Sequence, residues 1–132
     1  MMNIYEKRLV DELQKINKFP YEDIHLIDKY PLCIAKEVLK VLIDNACCGQ
    51  NYAPIELGRK KINEINKEWL NRYFLEVAAS CIDFSDEWEY RRLVELVDLV
   101  VPKLMPQVLD IGKDSENEEV REVVDDYKGK DY

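Results

Sequence analysis

Seven residues of the chain recur thirty positions further on: Glu89-Tyr90-Arg91-Arg92-Leu93-Val94-Glu95 and Glu119-Val120-Arg121-Glu122-Val123-Val124-Asp125. Each copy runs acid, apolar, arginine, charged, apolar, apolar, acid. A recurrence at a fixed period of about 20 to 50 residues marks repeat architectures, whose helical units bury their apolar faces against neighbouring units because none can do so alone. The two copies therefore point to a stack of helical hairpins. Only four glycines and five prolines punctuate the 132 residues, which suits long helices and argues against a sandwich or barrel of many short strands.

A chain of this length is expected to fold as a single domain over residues 1–132, with a frayed polar tail at 128–132. It is 47% hydrophobic, enough to exclude wholesale disorder. No run approaches the length of a membrane span, and the first residues lack the apolar core of a signal peptide, so a cytoplasmic protein without a membrane partner is expected. Cys33, Cys47, Cys48 and Cys81 contain no C-x-x-C and lie in helical settings, where reduced, buried thiols are expected. With His25 as the only histidine, neither a metal site nor a cofactor is expected.

Apolar spacing divides the chain into helices. Residues 4–17 place Tyr5, Leu9, Leu13 and Ile16 on one face, and a short helix is expected from Tyr21 to before Pro31. Residues 32–48 carry a strong stripe of Leu32, Ala35, Val38, Leu39, Leu42 and Ala46, closed by Gly49. Pro54 suits the first turn of the next helix, with Ile55, Gly58, Ile62 and Ile65 inward. Asn66 reads as the cap of a helix burying Leu70, Phe74 and Val77, and Trp69 reads as core. Asp86 caps the following helix, with Glu89 completing a capping box; Ser115 and Glu118 form another such box, and Gly112 ends the helix between them.

Pairing gives hairpins 32–48 with 54–65, 67–82 with 86–100, and 102–111 with 116–127. In the last two, an acidic turn leads into a helix that begins with an apolar residue and an arginine. Asn117-Glu118-Glu119-Val120-Arg121-Glu122-Val123-Val124, and in weaker form Glu87-Trp88-Glu89-Tyr90-Arg91-Arg92-Leu93-Val94, resemble HEAT-like helical repeats. The resemblance implies an all-α fold, a short right-handed stack of antiparallel helical hairpins (an α-solenoid) behind an N-terminal packing helix. The chain departs from that pattern in lacking the usual proline before the apolar-arginine step and in its short period.

The formal charge of −8 is uneven. Residues 1–82 hold twelve acids and twelve bases, whereas residues 83–132 hold fifteen acids and seven bases, so the whole excess lies in the repeat-like part. Such a field repels nucleic acid and anionic membrane and speeds encounter with a basic protein. In size and charge the chain resembles small bacterial immunity proteins, which bind and neutralise a cognate toxin. That resemblance implies a protein partner, with Asp86, Trp88, Glu89, Tyr90, Arg92, Glu118, Glu119 and Glu122 as the partner-binding residues. Arg91 and Arg121 recur with the repeat and are expected to tie adjacent units together, whereas Arg92 is Glu122 in the second copy and is freer for function.

No catalytic residues are expected: the chain lacks G-x-S-x-G, H-E-x-x-H and a phosphate-cradling glycine loop. The alternatives are a HEAT-like scaffold or adaptor subunit using apolar patches around Tyr52, Tyr73 and Trp88, and a small-molecule protein with a pocket between hairpins lined by tyrosine hydroxyls and Cys81.

Overall fold

A computed structural model describes residues 2–129. Helix α1 (Ile4–Gln14) starts at Asn3, whose side chain accepts from the Glu6 amide at 2.9 Å. It stops three residues earlier than the apolar spacing predicts, because Asn17 (φ 51°) and Lys18 (φ 56°) take the left-handed conformation and reverse the chain. The reversal turns Phe19 into the core, its ring centroid 4.6 Å from that of Tyr30.

The short helix expected before Pro31 spans Tyr21–Lys29 and is a 3-10 helix. Its buried residues are Tyr21, Ile24 and Ile27, with Tyr30 packed beside them. A spacing of three eclipses side chains in a helix of three residues per turn, whereas in an α-helix it would drift off the face. The sequence period thus selects the tighter helix.

Helix α2 (Leu32–Cys47) buries Ala35, Val38, Leu39, Leu42, Ile43, Ala46 and Cys47, and α3, α4 and α5 all pack on it. Helix α3 (Tyr52–Asn63) is capped by Asn51, with Pro54 in its first turn as expected. A Cβ on Gly58 would lie 2.9 Å from the Ala46 backbone nitrogen, so glycine permits the close α2–α3 crossing. Helix α4 (Lys67–Cys81) is capped by Asn66, which accepts from the Trp69 amide at 3.1 Å.

Helix α5 (Glu87–Val100) touches α2, α3, α6 and α7. A single 3-10 turn, Pro102–Leu104, leads into α6 (Met105–Gly112), and α7 (Glu118–Tyr127) follows. Gly112 is the last residue of α6, not the residue beyond its end, and its reason is space: a Cβ there would fall 2.4 Å from the Tyr90 hydroxyl oxygen. The cap of α7 is Asn117, which accepts from the Glu119 amide at 3.0 Å, while Ser115 accepts from Asn117 itself. The expected Ser115–Glu118 box is therefore replaced by an asparagine cap.

One hydrophobic core draws residues from all seven α-helices. The described residues contain no strand, and none of their helices is long and apolar enough to cross a membrane. Of the expected hairpins, α2 with α3 and α6 with α7 pack closely, whereas α4 and α5 both lean on α2 more than on each other. Lys128 and Gly129 are exposed; the rest of the expected frayed tail, residues 130–132, lies outside the described residues.

Candidate partner-binding surface

The N-termini of α5 and α7 lie side by side, tied by Asn117 donating from Nδ2 to the Ser85 carbonyl at 2.9 Å. Acids gather there because helix starts favour negative charge and acidic caps. Asp86 accepts from the Trp88 and Glu89 amides at 2.9 and 3.0 Å, so its carboxylate is engaged in capping. Glu89 does not close the expected box: it accepts from the Asp83 amide at 3.2 Å and from the Cys48 thiol at 3.3 Å. Its carboxylate ties the turn before α5 to the end of α2.

Glu118, Glu119 and Glu122 are exposed on α7. Across from them stands Glu87, which the sequence reading passed over. Its carboxyl is held above the usual carboxylate range, chiefly by a hydrogen bond with Glu119. Trp88 next to it is 56% exposed.

Tyr90 does not belong to this surface. It is fully buried, and its hydroxyl donates to the Val108 carbonyl at 2.8 Å, so it joins α5 to α6 and cannot meet a partner. Arg92 is half-buried and pairs with Glu95 at 2.8 Å. Glu95 also receives Arg59 of α3 at 2.6 Å. Burial works to raise the Glu95 carboxyl, but the two arginines outweigh it and hold it below the usual range. Glu95 and Arg59 were not singled out because their partnership joins helices thirty-six residues apart, which no local spacing reveals. Trp88 and Arg92 line a groove of about 280 Å³ with Gly49 and Gln50 of the α2–α3 loop.

The repeated arginines hold structural partners. Arg91 reaches Asp126 of α7 at 3.3 Å, and Arg121 donates to the Ser115 carbonyl. Trp69 packs against Tyr73 with centroids 5.2 Å apart and is partly buried on the core.

The thiols are all free, but only Cys47 is buried; Cys33 and Cys48 are exposed, contrary to expectation, because they fall on the outer side and at the end of α2. Burial pushes the Cys47 thiol well above its ordinary value and Cys81 up to about 11, which favours their protonated, less nucleophilic form. Cys81 does line a groove of about 490 Å³ with Arg8, Glu37, Lys40 and Asp44, but no tyrosine hydroxyl joins it there. Among the described residues, no group of three or more histidine, cysteine or acidic side chains is placed to hold a metal ion. Comparison with known protein families, with curated proteins and with solved structures found no match for this chain.

Proposed function

We infer that the chain is a non-enzymatic, cytoplasmic protein-binding module that captures a basic protein on the edge where α5 and α7 begin, as an immunity-type protein captures a toxin. The observation that carries this reading is the contact of Glu87 with Glu119 where α5 and α7 begin, with Glu118 and Glu122 exposed on α7 and Trp88 exposed on α5. None of these four carboxylates is within ion-pair distance of a lysine or arginine among the described residues. Unspent acids speed the encounter with a basic surface, and a large, rigid indole supplies the contact area that fixes the complex.

The finer architecture in this reading is a HEAT-like right-handed stack built on the α2–α3 and α6–α7 hairpins. Packing of α3 on α5, of α5 on α7 and of α2 on α4 supports it. A scaffold or adaptor role is favoured instead by Tyr52 and Leu99, which are 64% and 60% exposed on the α3–α5 side, away from the acids.

The test is co-expression with the product of the reading frame adjacent to this chain's gene, followed by stopped-flow association of the purified pair. On the capture reading the rate falls roughly tenfold or more between about 0.05 and about 0.5 M salt, and Glu118→Lys with Glu119→Lys slows it further. A rate indifferent to both changes would sink the reading and favour the scaffold.

A further inference from the structure

The outward face of α5 carries Trp88, Arg92, Glu95 and Leu99 in a single stripe. The steps are four, three and four residues, so at about 100° per residue all four lie within one narrow sector of the helix, over about 16 Å of its length. The two ends are apolar and open, with Trp88 56% and Leu99 60% exposed. The middle is charged and half-sunk, the Arg92 and Glu95 side chains being 26% and 27% exposed.

Read from the other end, the stripe keeps its apolar ends and exchanges its two charges. A two-fold axis crossing α5 midway between Arg92 and Glu95 lays Trp88 on the Leu99 of a second copy and Arg92 on its Glu95. Apolar meets apolar and cation meets anion at every position. That self-complementarity is the requirement for an isologous two-fold interface, and a repeat of about 3.5 residues is the seam along which helices pack. The flanking surface matches. Beside Trp88 and Arg92 lies the groove of about 280 Å³ against Gly49 and Gln50. Beside Leu99 lies one of about 300 Å³ lined by Tyr52, Arg59 and Asn63. Each apolar end of one copy thus has a depression opposite it on the other. Glu95 already holds Arg92 and Arg59 of its own chain, so across the axis each Arg92 is shared between its own Glu95 and that of the second copy.

We propose that the chain self-associates through α5 as an antiparallel two-fold pair, with Trp88 of one copy on Leu99 of the other and Arg92 on Glu95. This pairing uses the outward stripe of α5 and does not depend on the capture reading, although both engage Trp88 and so compete. The salt response separates them. Two copies each carrying a formal charge of −8 repel at low ionic strength, so screening strengthens the pair, whereas it weakens attraction to a basic protein.

Sedimentation velocity of the full chain, from about 10 µM to about 1 mM protein, tests it in the range where one helix-wide patch would associate. The expected result is a monomer–dimer equilibrium that shifts towards dimer as salt rises. Leu99→Asp weakens the pair by tenfold or more, while Ile4→Asp, at a site 65% exposed on α1, leaves it unchanged. Register is read by oxidative cross-linking in a background lacking the exposed Cys33 and Cys48. Trp88→Cys mixed with Leu99→Cys gives a mixed disulfide in preference to either homodisulfide. A chain that stays monomeric throughout, a dimer indifferent to Leu99→Asp, or preferred Leu99→Cys homodisulfides each overturn the pairing. Leu99→Asp lies outside the acidic edge, so capture of a basic partner that survives this variant is unaffected by any of those outcomes.

Discussion

The Tyr90 hydroxyl occupies the space where Gly112 would carry a side chain. A Cβ on Gly112 would lie 2.4 Å from the hydroxyl oxygen and 2.5 Å from the ring carbon that bears it. Tyr90 itself is locked by its 2.8 Å bond to Val108, so it cannot swing away. Gly112→Ala should therefore destabilise the fold by about 1–2 kcal/mol, since overpacking costs about 1–3 kcal/mol and alanine returns up to about 1 kcal/mol of helix propensity. In a Tyr90→Val background, which copies Val120 of the second repeat, the same change should become neutral or stabilising. Urea denaturation of the double-mutant cycle measures the coupling; additive effects would mean that the contact is not the cause.

Burial also pushes the Tyr90 hydroxyl up to about 12, from an ordinary value of 10.0. Because the folded-state value is the raised one, its contribution is fully present below pH 10 and is lost as pH climbs from 10 towards 12. Two units correspond to about 2–3 kcal/mol. Tyr90→Phe should be less stable than the parent at pH 8, through loss of a buried hydrogen bond, and should match or exceed it at pH 11. Chemical denaturation at the two values checks this; a gap that stays constant with pH would show that the phenol does not titrate with unfolding.

The recurrence that first defines the chain is legible in the fold at the level of burial. Tyr90, Leu93 and Val94 are buried in α5 just as Val120, Val123 and Val124 are in α7. The caps are not in step, because Asp86 and Asn117 are thirty-one residues apart rather than thirty, and local amide bonding can shift a helix start by one residue without disturbing the inward face. The role of Gly112 is hidden for a different reason: it ends α6 against a side chain that is distant in sequence, so nothing local distinguishes it from a breaker, whereas Gly58 lies on the inner face of α3 as its spacing indicates. Of the partner-binding residues, exposure kept Trp88, Glu118, Glu119 and Glu122 on the surface, but α6 covers Tyr90, and Asp86 is engaged in capping. The self-complementarity of Trp88, Arg92, Glu95 and Leu99 was present in the sequence all along. It gains meaning only once their face is known to point outward.

Lys18 holds a backbone conformation that L side chains adopt at a cost of about 1–2 kcal/mol, with φ 56°. Lys18→Gly should raise stability by up to about 1 kcal/mol, the remainder being offset by the greater freedom of glycine in the unfolded chain. Asn17→Gly should gain less, since asparagine tolerates the left-handed region. Thermal midpoints of the two variants decide it. A loss on Lys18→Gly would imply that the lysine side chain contributes more than its backbone strain costs.

Glu87 and Glu119 are the two acids whose contact joins the starts of α5 and α7. The Glu87 carboxyl is raised above 4.5, first by its hydrogen bond with Glu119, then by burial and by the neighbouring negative charge. A raised carboxyl is favourable in its protonated form, so the contribution of the pair is present below the ordinary value and is lost as pH rises through the raised one. The negative charge of Glu119 is among the causes that raise the Glu87 carboxyl, so the two acids oppose each other once Glu87 gives up its proton. Glu119→Gln should thus raise the thermal midpoint slightly at pH 7, and the gain should shrink as pH falls and Glu87 takes up its proton. The same substitution removes one acid from the edge proposed to capture a basic protein, and it should slow that association. A variant that folds better and binds more slowly would mean that the repulsion is retained for capture, whereas one less stable at pH 7 would show that the two carboxylates support the fold.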